Sequence, residues 1–402
     1  MFSVLKREPR LISFGIITLF FTGPGQTFIV SLFVPTMRQA LALSQSQISF
    51  LYGMATLASV FFVSSMGRLL DRWPLRRFTL LNAIILSLGL GVLGITRSVG
   101  MALLGFFLIR SCGQGTLALI SSTTMARYFG VLRGRALSWA ALGYPLSEGL
   151  FPIVVGAVIA QAGWRIGWFF LMGLTLLIYA PSVWFLLKNF EAAEGWEKEK
   201  SKNLVSPWVI LRQPRFYLIV LPVIFPASFV TGLFFHQLTL IAEKGWTPQQ
   251  LATAFVVFAV GRAFLALSSG VFIDRFSALR VFPIFFVPFT LALTAFWQGS
   301  HPVWIYVYLG LVGATFGMSN VIFGALWAEV YGTDILGTVR GLSSGLMIVG
   351  TAVSPLLVGH LMDTGWSAER ILGLATVISL GFGIVALATS LRLGQYRSKS
   401  DG

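Results

Sequence analysis

Four ionisable side chains interrupt otherwise apolar stretches of this 402-residue chain: Arg110, Glu148, His236 and Arg262. A guanidinium in a nonpolar surrounding is costly unless it faces protein or water and finds an anion. Arg262 has no acid in its own stretch before Asp274, so an incoming carboxylate is a candidate partner; backbone carbonyls or a distant acid are the structural alternative. Glu148 is the sole acid well inside any apolar run. Counted from the ends of their runs, it lies at a depth about 6 Å from that of Arg110 at the helical rise. That offset allows a structural ion pair, or a carboxylate that exchanges a proton beside a movable arginine. His236, whose unperturbed pKa is about 6.5, suits proton coupling or pH gating, and equally the hydrogen-bonding wall of a polar cavity. Gln237 follows it directly.

Gln26, Tyr52 and Asn320 lie in other apolar runs. Facing inward they line a water-filled cavity; the bland alternative is hydrogen bonding between helices, worth about 0.6 kcal/mol each. Pro24, between Gly23 and Gly25, is expected to weaken its helix and free backbone groups for a solute.

Such residues need apolar elements to hold them. The chain is 56% hydrophobic and 11% charged, with a mean hydropathy of +0.83. That is more apolar surface than a water-soluble fold buries, and it places the chain in a bilayer. Long unbroken runs read as helices near 11–35, 46–69, 78–97, 100–126, 136–162, 166–188, 216–242, 249–273, 281–298, 303–330, 337–362 and 370–392. A barrel would show alternating segments of about ten residues instead. The expected fold class is an all-α membrane protein, twelve transmembrane helices in two pseudo-symmetric six-helix bundles. The polar stretch Asn189 to Trp208, where Glu191, Glu194, Glu197 and Glu199 alternate with lysines, separates a bundle at 1–188 from one at 216–402, with 189–215 as linker.

A net charge of +15 raises the question of nucleic acid, and the placement of the 29 Lys and Arg answers it. They stand at helix ends and in alternate loops, which is a topology signal and not a phosphate-binding stripe. Arg38, Arg97, Arg165, Lys244 and Arg370 fall on one side, Arg110 and Arg262 within runs, and all the others on the opposite side. Both termini are therefore expected to be cytoplasmic. The first run follows Lys6, Arg7 and Arg10 and is too long for a cleavable signal core. The single cysteine, Cys112, excludes an intramolecular disulfide. Scattered methionines form no helical Met-x-x-x-Met pair, so a soft-metal cargo is not expected. No Walker loop, His-Glu-x-x-His or Ser-His-Asp set is present, and neither enzyme chemistry nor a cofactor or metal is expected.

The chain also repeats itself. Gly67-Arg68-Leu69-Leu70-Asp71-Arg72, closing on Arg76 and Arg77, recurs as Gly270-Val271-Phe272-Ile273-Asp274-Arg275, closing on Arg280, about half a chain later. A repeat at that period in a chain of apolar spans marks a carrier built from two like halves. Gly67 and Gly270 would let two helices approach; Asp71 and Asp274 would cap a helix N-terminus and pair with arginines.

These twin loops resemble the signature of the major facilitator superfamily, and the similarity covers essentially the whole chain. Arg110 with Gly113-Gln114-Gly115, Arg127-Tyr128-Phe129 with Arg133-Gly134-Arg135, Gly163-Trp164-Arg165 and Glu329-Val330-Tyr331-Gly332 resemble further motifs of that family. Pro74 and Ser277 depart from it, standing where the family usually has glycine. Phe235-His236-Gln237 and Gly23 to Gly25 look like monocarboxylate and oxalate carriers, whereas Gly143 to Gly149 looks like riboflavin and copper importers. The resemblance implies a bacterial inner-membrane, multi-pass secondary transporter, a monomer, moving a small solute by alternating access. A carboxylate-bearing anion taken up with protons is the preferred cargo, a vitamin such as riboflavin the alternative, and a transport-dead sensor or scaffold a reading of another class. Arg262, His236, Gln26, Gln237, Tyr52 and Asn320 would bind solute and Glu148 with Arg110 would couple protons. Gly67, Asp71, Arg72, Gly270, Asp274 and Arg275 would form a cytoplasmic latch.

Overall fold

Pro24 has no N–H to give a helix, and the first apolar run breaks around it into Pro9–Phe20, a 3-10 turn Gly23–Gly25, Thr27–Val30 and Val34–Ala40. The computed structural model describes residues 8–188, 206–332 and 335–400, leaving out the side chains of residues 131, 267, 269–275, 320, 321, 324 and 394–400. Among the described residues every regular element is helical. Among the described residues ten helices are long and apolar enough to cross a bilayer. Two of the twelve runs read from the sequence fall outside that number: the broken first one, and Val303–Tyr331, whose apolar described part is Val303–Ser319. The outer surface of the Trp164–Leu186 span suits lipid, with Leu177 at 78% and Phe185 at 71% exposure.

The chain forms two compact units, Met1–Lys198 with Phe234–Thr239, and Glu199–Leu233 with Leu240–Gly402. The six residues Phe234–Thr239 thus group with the first unit although they follow the Pro214–Leu233 stretch of the second.

In the first unit, Pro9–Phe20 packs against Leu117–Phe129 and Gly143–Ala162, while Leu75–Gly94 packs against Val99–Leu108 and Trp164–Leu174. Ser44 starts the Gln45–Leu70 helix with a capping box, its hydroxyl accepting from Gln47 N while the Gln47 side chain accepts from Ser44 N. Trp168 is fully buried and stacks on Phe33 at 3.8 Å. The fourth run is not uniformly α-helical: Ile109–Thr116 is a π-helix between Val99–Leu108 and Leu117–Phe129.

In the second unit the dominant pairing is Pro248–Phe276 against Val303–Tyr331. Small residues make it possible, since a Cβ on Gly261 would stand 2.6 Å from the Gly310 carbonyl and one on Gly317 would run into the carbonyl of Arg262. A second cluster gathers Phe216, Phe282, Leu326, Trp327 and Val339. Ile210, on the short helix Pro207–Leu211, is fully buried in it, so the end of the expected 189–215 linker is packed into the unit. The rest of that stretch, 189–205, lies outside the described residues.

Candidate functional site

Arg110 occupies the π-helical stretch and is 4% exposed. Its Nε donates to Thr56 Oγ1 at 3.1 Å, its Nη1 donates to the Gly25 carbonyl at 3.2 Å, and its guanidinium carbon lies 4.9 Å from the Tyr52 ring centre. Tyr52 is itself buried and its hydroxyl shares a 2.7 Å hydrogen bond with Thr27. The break in the first span therefore has a function of position. With the helix interrupted, the Gly25 carbonyl is free to accept from a side chain, and it accepts from Arg110; the expectation that freed backbone groups serve a solute is corrected here for this carbonyl.

The approach is backbone on backbone. A Cβ on Gly25 would stand 2.6 Å from Gln114 N, and one on Gly113 would stand 3.1 Å from the Gly25 Cα. The widened turn is satisfied from outside the helix ladder: Asn82 Nδ2 donates to the Cys112 carbonyl at 3.1 Å, and Thr116 Oγ1 to that of Ser111 at 2.8 Å.

Glu148 is 6% exposed on Gly143–Ala162. Its neighbour Ser147 lies where a Cβ on Gly23 would have to go. Arg110 and Glu148 thus sit on helices that both close on the three-residue turn Gly23–Gly25, while the described hydrogen bonds of Arg110 go to neutral groups. Gln26 is half-buried at the extended residue after that turn, with φ −85° and ψ 151°.

His236 is 1% exposed, between Pro214–Phe235 and Gln237–Glu243. Its Nε2 lies 3.0 Å from Ser49 Oγ, which also lies 2.6 Å from the Gln45 carbonyl. Because the Ser49 proton goes to that carbonyl, the imidazole Nε2–H is the donor to Ser49. Gln237, 3% exposed, donates from Nε2 to Ser31 Oγ at 2.6 Å. In this conformation both side chains tie Phe234–Thr239 to the first two spans of its unit, with the Phe235 ring 4.7 Å from that of Tyr52. In the second unit, Arg262 is half-buried on Pro248–Phe276, and its carbonyl lies against Gly317 of the neighbouring helix. The side chain of Asn320 lies outside the described residues.

The twin loops differ in execution. Asp71 ends the Gln45–Leu70 helix and forms an ion pair with Arg127, so two of the sequence motifs meet in space. Both groups are partly exposed, 42% for Asp71 and 34% for Arg127. Arg72 is exposed. The steric reason expected for Gly67 is corrected: a Cβ there would stand 3.7 Å from Leu119, an ordinary contact. Pro74 has φ −56° and ψ 126° and leads into Leu75–Gly94. Ser277, its counterpart, takes φ 67° and ψ 150°, a backbone shape that glycine enters freely and other residues rarely do. Gly270, Asp274 and Arg275 lie outside the residues whose side chains are described.

The capping carboxylate of the second loop is Glu329, which accepts from Ala278 N at 2.8 Å and Leu279 N at 3.1 Å. The sequence marked Glu329 by its motif without its role. Thr27, Ser31, Ser49 and Thr56 were not anticipated, since lone hydroxyls in apolar helices carry no distinguishing signal; all four are buried and three of them touch the ionisable or amide groups above.

A twelve-run apolar chain whose two halves carry the same loop, with an arginine and an acid buried beside a broken first helix, has the features of a membrane carrier. The profile described as Major Facilitator Superfamily matches residues 15–244 and 223–400, and the chain belongs to that family. It is a membrane transporter of that type, not an enzyme. Among curated relatives, the uncharacterised MFS-type transporter YhjX of Escherichia coli K12 is 22% identical over 81% of this chain and 81% of its own length. An Arabidopsis thaliana protein with the provisional name glycerol-3-phosphate transporter 5 is 23% identical over 81% of this chain and 76% of its own. Among solved structures, the nucleoside transporter NupG superposes with a TM-score of 0.75 at 13% identity, covering 95% of this chain and 98% of that one. A bacterial homologue of the human lysosomal transporter Spinster, inward-facing and unoccupied, gives 0.70 at 15% identity, covering 96% of each chain. These structures share the fold.

Proposed function

We propose that the chain moves a small carboxylate-bearing organic anion, monocarboxylate-like, together with protons, by alternating access. The observation that carries the reading is Arg110: a buried guanidinium whose described partners, Thr56, Gly25 and the Tyr52 ring, are all neutral. Those bonds engage Nε and Nη1 and leave the Nη2 donors for a ligand; hydrogen bonds to charged groups contribute roughly 1.5–3 kcal/mol each. Arg262 adds a second cation at membrane depth in the other unit, Glu148 is the group proposed to carry the proton, and Gln26, His236, Gln237, Tyr52 and Asn320 are proposed to shape the site. The name of the Arabidopsis relative specifies an organic anion, though a phosphate ester and not a carboxylate. The proposed setting is a bacterial inner membrane, with both termini cytoplasmic and the chain a monomer. Asp71, Arg72 and Gly67, with Gly270, Asp274 and Arg275, are proposed as the latch.

The test is uptake of labelled small carboxylates into proteoliposomes with and without an inward proton gradient. Flux that rises with the gradient and falls at least tenfold in Arg110→Gln and in Arg262→Gln supports the reading; gradient-independent flux removes the proton. A larger heterocyclic solute, a nucleoside or a riboflavin-like vitamin, is the second reading, favoured by the fold shared with the nucleoside transporter NupG. It is distinguished by uptake that survives Arg262→Gln and Arg110→Gln nearly unchanged.

A further inference from the structure

Within the second unit an apolar groove of about 420 Å³ opens outward between Phe286–Gln298 and the Ala368–Ser400 helix. Ile284, Val287 and Leu291 form one wall and Leu380, Ile384 and Leu387 the other, each about half exposed or more. Thr290, also on the lining, hydrogen-bonds Ser379 at 2.7 Å, so its hydroxyl does not make the groove polar. Gly383 lets the helices close beneath it, since a Cβ there would stand 3.3 Å from the Phe286 Cβ.

The two elements that flank the groove carry positive charge just beyond one end of its lining. Arg280, the last residue of the second twin loop, precedes Ile284 by one turn and continues the stripe 280, 284, 287, 291. Its short helix, Ala278–Val281, touches the Ala368–Ser400 helix, which carries Arg392 just past Leu387 and Leu391. Both arginines are exposed. The first unit treats the matching place differently. The offset that aligns Gly67 with Gly270 also aligns Trp184 with Leu387, and there Arg76 lies 3.4 Å over the Trp184 ring. At that one position the first unit has an indole stacked under an arginine where the second has Leu387 on the groove wall.

We infer that this groove holds an acyl chain of an acidic glycerophospholipid from the surrounding bilayer, with the headgroup phosphate on Arg280 and Arg392. Apolar walls supply the chain site, and two exposed guanidiniums at one end supply the complement to a single negative headgroup. A zwitterionic lipid of the same chains fits the trough and lacks the net charge.

The experiment is native mass spectrometry of the full-length protein, delipidated in detergent and titrated with phosphatidylglycerol or with phosphatidylethanolamine of identical acyl chains. Retained phosphatidylglycerol is expected to exceed phosphatidylethanolamine. Arg280→Gln and Arg392→Gln are each expected to weaken phosphatidylglycerol binding by about fivefold and phosphatidylethanolamine, whose ammonium offsets its phosphate, by less. Leu387→Trp, which puts an indole on the groove wall, is expected to weaken both lipids. Equal retention of the two lipids by the unaltered protein, or wild-type retention of phosphatidylglycerol in the double arginine variant or in Leu387→Trp, overturns the inference.

Discussion

Arg110 donates to the carbonyl of Gly25 at 3.2 Å, joining the π-helical stretch of the fourth span to the broken turn of the first. Each irregularity explains the other. Proline interrupts one helix and releases a carbonyl, glycines at 25 and 113 let the two backbones touch, and the guanidinium takes the released acceptor. Two departures from ideal helix are thereby converted into a fixed position for a buried cation.

Gly25→Ala and Gly113→Ala should each overfill this crossing. Overpacking typically costs about 1–3 kcal/mol, so both variants are expected to melt earlier and to lose most transport, because the Arg110 acceptor moves with the turn. Gly156→Ala, at a helical glycine with open space around its Cβ position, is the matched control and is expected to keep transport and to melt no earlier than the unaltered protein. Thermal unfolding and proteoliposome uptake measure the two effects.

The Asp71–Arg127 pair is partly exposed, and pairs of that kind contribute about 0–1 kcal/mol. A double-mutant cycle with Asp71→Asn and Arg127→Gln should therefore show small coupling in stability. If the pair belongs to a latch, the same variants should still change accessibility to cysteine reagents on the two sides of the membrane. A large stability coupling with unchanged accessibility would make it a structural tie only.

Ser277 holds a positive φ that its side chain disfavours. Ser277→Gly is expected to stabilise the second unit by about 1 kcal/mol, and Ser277→Val to destabilise it by more. A lower melting temperature for the glycine variant would contradict that account of the loop.

Glu329 caps the first turn after Ser277 through two backbone N–H groups. Glu329→Gln keeps one acceptor and loses the charge; Glu329→Ala loses both. A graded loss of stability, about 1–2 kcal/mol for alanine and less for glutamine, is expected. Hydrogen exchange at Ala278 and Leu279 should rise in the same order.

Much of the fold was legible because it rests on long-range repetition and composition. Apolar run length located most of the helices, and the matched loops at Gly67 and Gly270 gave the expectation of two like halves. The break at Pro24 was legible from one residue's missing donor. What the sequence did not reveal depends on contacts between spans. That Asp71 meets Arg127, that His236 lies against Ser49, and that Arg110 bonds Gly25 are facts of packing, and no local pattern encodes the partner. The conformation of Ser277 was obscured for the opposite reason, since its identity argues against the shape it adopts. Gly67 misled in a third way: its motif position promised close packing that Leu119 does not supply.

The central claim is that a carboxylate reaches the Arg110 guanidinium. Its most direct test is equilibrium binding of a panel of small monocarboxylates and their neutral amides to the purified protein and to Arg110→Gln. The account predicts that at least one carboxylate binds, that its amide does not, and that Arg110→Gln weakens the carboxylate by about tenfold to a hundredfold. Equal affinity for acid and amide, or unchanged carboxylate binding in Arg110→Gln, contradicts it.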